Sequence, residues 1–150
     1  MKYFGCILEF TSLRNQDIMR AYRYLVSSMQ VIKAEELGKR LVELPSARFW
    51  ISEERAAVVI SQIMRGKDPL AMMRPAKREM FLEIFRRYSY LSRKMPSAKP
   101  LDIVEAVINS PAPKFYLAPR TAIEIIYKIK SGFYERYCKQ ARYKRNGNSE

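Results

Sequence analysis

A chain of 150 residues with 48% hydrophobic and 12% aromatic content has enough apolar material for a buried core and is not a disordered tail. Its 28 Lys and Arg exceed its 15 Asp and Glu by 13 charges, a balance that suits a nucleic-acid backbone. No apolar run approaches the roughly 18 residues of a membrane span. There is no histidine, which removes the commonest general base and zinc ligand.

Residues 1–16 read as an N-terminal arm, and the opening MKYFGCILEF fits either a short strand or an apolar extension. Glu9 interrupts that run and no small-residue cleavage site follows, so it is not read as a signal peptide. Without an export signal, the expectation is a cytoplasmic protein with Cys6 and Cys138 reduced.

From residue 17 onward the chain repeats itself. A shift of 66 residues aligns 17–66 with 83–132 without a gap, giving 13 identities in 50 pairs. Composition alone predicts roughly three. The aligned core positions keep their type, as in Leu41/Val107, Val42/Ile108 and Trp50/Tyr116. The reading is a duplication, with a first copy at 17–66, a linker at 67–82 and a second copy at 83–132.

Each copy predicts three helices. Ile18, Tyr22 and Leu25 lie at helical spacing, as do Ile84, Tyr88 and Leu91. The second of these helices begins near Pro75, a favoured first-turn residue, inside the linker. A short helix follows, striped by Leu37, Leu41 and Leu44 in one copy and by Ile103, Val107 and Ile108 in the other. Pro45 and Pro111 end it and open the strings PSARFWIS and PAPKFYLA, whose aromatic residues also favour an extended segment.

The third helix starts behind the N-cap Ser52 in one copy and at Pro119 in the other. Ala56, Val59, Ile60 and Ile63 form its buried stripe, matched by Ala122, Ile125, Ile126 and Ile129. Gly66 and Gly132 suit left-handed stops. Phe49 and Trp50, with Phe115 and Tyr116, are expected to plug the core. The fold class is therefore all-α: two tandem three-helix repeats packed as one compact unit, with a basic C-terminal helix in the tail 133–150.

The charge points to surfaces. Arg136, Lys139, Arg142, Lys144 and Arg145 alternate with tyrosines in the tail, a pattern suited to phosphates and stacked bases. Arg74, Lys77, Arg78, Arg86, Arg87, Arg93 and Lys94 run along the long helix. Arg48 and Lys114 place a cation at one position of both copies. The three-helix layout is similar in outline to the helix-turn-helix class of DNA-binding domains. That resemblance implies that the third helices present Arg55, Gln62 and Arg65 in one copy and Arg120, Thr121, Tyr127 and Lys128 in the other.

The expected function is non-enzymatic nucleic-acid binding, with DNA favoured over RNA, as in a small regulator or a mobile-element accessory factor. The alternative is a helical assembly protein that docks an acidic protein partner and forms a homo-oligomer through its tyrosines. No Gly-rich phosphate loop or clustered set of carboxylates is evident, so no catalytic residue, cofactor, metal or membrane partner is expected.

Overall fold

The computed structural model describes residues 2–28 and 33–136, with side chains from Glu9 onward. These residues are mostly helical: α1 Lys2–Ser28, α2 Ala34–Val42, α3 Glu53–Met64, α4 Pro75–Lys94, α5 Pro100–Ile108 and α6 Pro119–Lys130. Residues 133–136 are helical as well. The remainder of the expected C-terminal helix, including Lys139, Arg142, Lys144 and Arg145, lies outside the described residues. So do Cys138 and the side chain of Cys6.

Nothing between Lys2 and Ser28 breaks a helix, since the segment has no proline and Gly5 is its only glycine. The segment expected as an arm or short strand is therefore helical and continues into the first element of the first copy. Elsewhere the ends follow local chemistry. Ser52 is extended and its hydroxyl accepts the Arg55 N–H at 3.2 Å, starting α3. Pro75, Pro100 and Pro119 each open a helix. Gly66 and Gly132, at φ 80° and 74°, adopt the left-handed conformation after α3 and α6. The helix pairs α2/α5 and α3/α6 have bounds offset by 66 residues at both ends, and α1 and α4 end at the same offset.

Packing groups these helices across the copies. Residues 42–118 make one compact unit, in which α5 packs on α3 and α4, and α3 also meets α4. Residues 1–41 with 119–150 make the other, in which α6 packs on α1. The third helix of each copy thus sits with first- or second-position helices of the other. Here α3 packs on α5, so the short helix beside it comes from the other aligned segment and not, as the three-helix layout had implied, from its own.

The Pro-aromatic strings pair through one isolated antiparallel bridge, Ser46 with Ala112, which exchange two backbone hydrogen bonds of 3.0 Å. Flanking bonds run from Phe49 N–H to the Ile108 carbonyl and from Phe115 N–H to the Val42 carbonyl, each 3.0 Å. Every one of these bonds has its mirror at the 66-residue offset. The strings are extended, as their composition allows, but no strand is present among the described residues.

The core of the 42–118 unit holds Phe49, Val59, Ile60, Phe81, Ile84, Ile103, Val107 and Ile108 in one buried cluster. Phe115 and Ile126 are buried too, as expected from their shared offsets with Phe49 and Ile60. Trp50 and Tyr116 are only half-buried, so the phenylalanine is the more deeply buried member of each pair, while Tyr116 still packs against the cluster.

Candidate nucleic-acid interface

The described cations divide by whether the chain itself already uses them. Arg48 donates to the carbonyls of Phe49 (3.1 Å) and Ile51 (3.0 Å), and its guanidinium lies 5.1 Å from the Trp50 ring. Partial burial pulls its pKa below the ordinary arginine value, with Glu53 opposing the shift. Lys114 bridges to Glu79 at 2.5 Å and to Glu43 at 3.9 Å, and its hydrogen bond to Glu79 raises its pKa. Arg48 therefore tightens its own turn, whereas Lys114 ties its string to Glu79 on α4 and to Glu43.

Arg86 and Arg87 share Glu83, and their hydrogen bonds hold the Glu83 carboxyl below its usual range. Arg87 also reaches the Ser110 hydroxyl and the Pro111 carbonyl, and lies 5.0 Å from the Phe49 ring. That ring stacks at 5.9 Å on Tyr116, a bulky residue in the left-handed region at φ 55°. Of these two α4 cations, Arg87 thus fastens the turn strings, while Arg86 is held by Glu83 within the helix.

A different set in this unit has no such engagement. Arg55 and Arg65 are exposed and Gln62 is half-buried on α3. Their side chains make no hydrogen bond or ion pair among the described residues. The steps 55, 58, 62 and 65 follow one helical stripe, so Arg55, Val58, Gln62 and Arg65 share a face. Val58 is 47% exposed there. Lys67, Arg74 and Lys77 are exposed in the loop that follows and in the first turn of α4. From residue 55 to residue 78 the chain has six cations and one acid, Asp68.

Of the first-copy residues that the resemblance to helix-turn-helix domains implies, Arg55 and Arg65 are exposed and Gln62 is half-buried; Val58, Lys67 and Met72 are exposed as well and lie outside that expectation. The signal for Val58 was available, since an apolar residue stands at the middle of an otherwise polar stripe. That for Met72 was weaker: a Met72–Met73 doublet between Pro69 and Pro75.

The other unit carries the remaining candidates. Arg120 pairs with Glu124 at 3.3 Å and is otherwise exposed. Thr121 is half-buried, and Tyr127 is 74% exposed. Lys128 lies 5.1 Å from the Phe133 ring, and Lys130 sits over the Tyr22 ring at 4.3 Å. Arg136 is exposed. Here the stripe position of Val58 is held by Glu124, which places an acid in the middle of the face. The two third helices are not electrostatically equivalent. No helix among the described residues is long and apolar enough to cross a membrane.

The chain matches no protein-family model, no curated protein and no solved structure.

Proposed function

We propose that this protein binds nucleic acid without catalysing a reaction, and that α3 with the loop behind it forms the principal contact surface. The observation that carries this reading is the sorting of cations. Arg48, Arg78, Arg86, Arg87 and Lys114 are spent on carboxylates and carbonyls, whereas Arg55, Arg65, Lys67, Arg74 and Lys77 are exposed and uncommitted among the described residues. Uncommitted cations release counterions from phosphates at little internal cost.

The stripe favours duplex DNA over RNA. Arginine can engage guanine, glutamine can engage adenine, and Val58 offers an apolar surface to a thymine methyl. The major groove of B-form DNA admits a helix, whereas that of A-form RNA is too deep and narrow. Within this reading the chain is a fused pair of three-helix repeats in which only the third helix of the first copy kept an acid-free face. The basic tail adds nonspecific affinity.

The test is fluorescence anisotropy with double-stranded DNA, single-stranded DNA and RNA at low and physiological salt. Binding should be tightest to duplex DNA and weaken steeply with salt. The triple variant Arg55→Gln, Gln62→Ala, Arg65→Gln should bind at least tenfold more weakly while melting at an unchanged temperature. Equal binding by parent and variant would move the site off α3. The absence of any salt-sensitive binding would instead favour docking to a protein partner through the apolar groups exposed on α4, such as Leu82 and Tyr90.

A further inference from the structure

We infer that Met72 is an apolar wedge that enters the base stack of bound duplex DNA and bends it. This rests on the nucleic-acid reading of the 42–118 unit and adds to it a specific deformation.

Met72 is 96% exposed, the most exposed of the large hydrophobic side chains described. Its presentation is fixed by the loop around it. The Met73 N–H donates to the Leu70 carbonyl at 3.1 Å, which makes residues 70–73 a turn with Ala71 and Met72 at its corner. Leu70 is buried and Met73 packs against the same core, so the residues on both sides of the corner are anchored inward. Arg78 then fastens the turn from beneath. Its guanidinium donates to the carbonyls of Leu70 (3.2 Å), Ala71 (3.4 Å) and Met73 (3.0 Å). Three acceptors of one turn are thereby held by one side chain, with Met72 projecting from the tip.

Connecting α3 to α4 does not require this. A linker needs to span the gap, and a polar residue at the corner would avoid exposing a methionine to water. The surroundings identify the occupant. Arg65 and Lys67 precede the turn, Arg74 and Lys77 follow it, and all four are exposed and uncommitted among the described residues. An apolar tip flanked by cations complements an anionic backbone with an apolar interior, which is the chemistry of a base-pair stack between phosphates. A wedge of this kind unstacks one step, kinks the duplex and lets flanking cations reach further phosphates. Preorganisation by Arg78 removes the ordering cost that a flexible loop would bring to the same insertion.

The experiment uses the full chain and a duplex labelled at its two ends for energy transfer, with 2-aminopurine at successive steps. The parent should shorten the end-to-end distance and brighten 2-aminopurine at one step. Met72→Ala and Met72→Ser should abolish both signals, while affinity falls by less than about tenfold because the phosphate contacts remain. Met72→Leu should restore them. All three variants should melt with the parent, since the side chain is 96% exposed. Binding by the parent without bending or unstacking, or full bending by Met72→Ala, would overturn the wedge and leave the α3 reading intact. Failure of the parent to bind duplex DNA would overturn both.

Discussion

Gly38 in α2 and Val104 in α5 occupy one position of the two copies, and the bulk on the third helices is reversed between them. A Cβ on Gly38 would fall 2.7 Å from the Pro119 carbonyl oxygen and 3.0 Å from Ile123 Cγ1. Ala57, the counterpart of Ile123, instead packs against the cluster that contains Val104. Glycine stands against isoleucine in one unit, and valine shares a core with alanine in the other. Pairing each third helix with its own copy would set Gly38 with Ala57 and Val104 with Ile123, leaving one void and one overfilled site.

Gly38→Ala tests the close approach through its sign. In a solvent-facing helix the change stabilises by about 1 kcal/mol. Against the backbone of Pro119 it should instead destabilise by about 1–3 kcal/mol, read as a lowered urea midpoint at constant slope. A more stable variant would refute the contact.

Phe49→Ala and Phe115→Ala should each destabilise by about 3–5 kcal/mol, because both rings are buried at one offset in the two copies. A loss below about 1 kcal/mol in denaturant unfolding would show that the ring is not a core element.

The division between committed and uncommitted cations should be visible in salt titrations. Arg65→Gln and Lys67→Gln should each lower the slope of log affinity against log salt by about one. Arg86→Gln, although its residue is exposed, should leave the slope near the parent value because Glu83 already occupies it. Equal slopes in all three variants would dissolve the distinction.

Tyr116 gives a signature at alkaline pH. Burial, followed by Glu83 and Glu79, pushes its phenol up to about 12 from an ordinary value of 10.0. The unfolded chain then releases this proton near pH 10, while the folded chain keeps it to about pH 12. The stability contributed by the neutral phenol is complete below about pH 10 and is lost as pH rises toward 12. Lys114, also raised, acts in the same direction. Tyr116→Phe keeps Lys114 and removes the phenol, so its stability should fall less steeply across this window, measured by urea unfolding at successive pH values.

The helices themselves were legible because their ends are written locally. Ser52, Pro100, Pro119, Gly66 and Gly132 all act within a turn of where they stand. Their buried stripes were legible for the same reason. The partners were not. Periodicity reports which face of α3 is covered, and that face is the same whichever copy supplies the cover; only the bulk reversal at Gly38, Ala57, Val104 and Ile123 distinguishes the two pairings. In the candidate site, the outward direction of Arg55 and Arg65 followed from their offset from Ala56 and Ile60. The engagement of Lys114 by Glu79 did not, because it depends on where α4 passes in space.

The 42–118 unit is built from consecutive residues, while its companion is completed by a segment that follows all of them. On a ribosome the contiguous unit can therefore assemble as soon as Ala118 clears the exit tunnel, using contacts of modest sequence separation. Meanwhile α1, which carries the buried Ile18, Ala21 and Leu25 and is synthesised before that unit, must wait for α6, the helix it packs against. Its apolar stripe is synthesised before the 42–118 unit and sheltered only after it, which makes it the segment for a holding chaperone to grip.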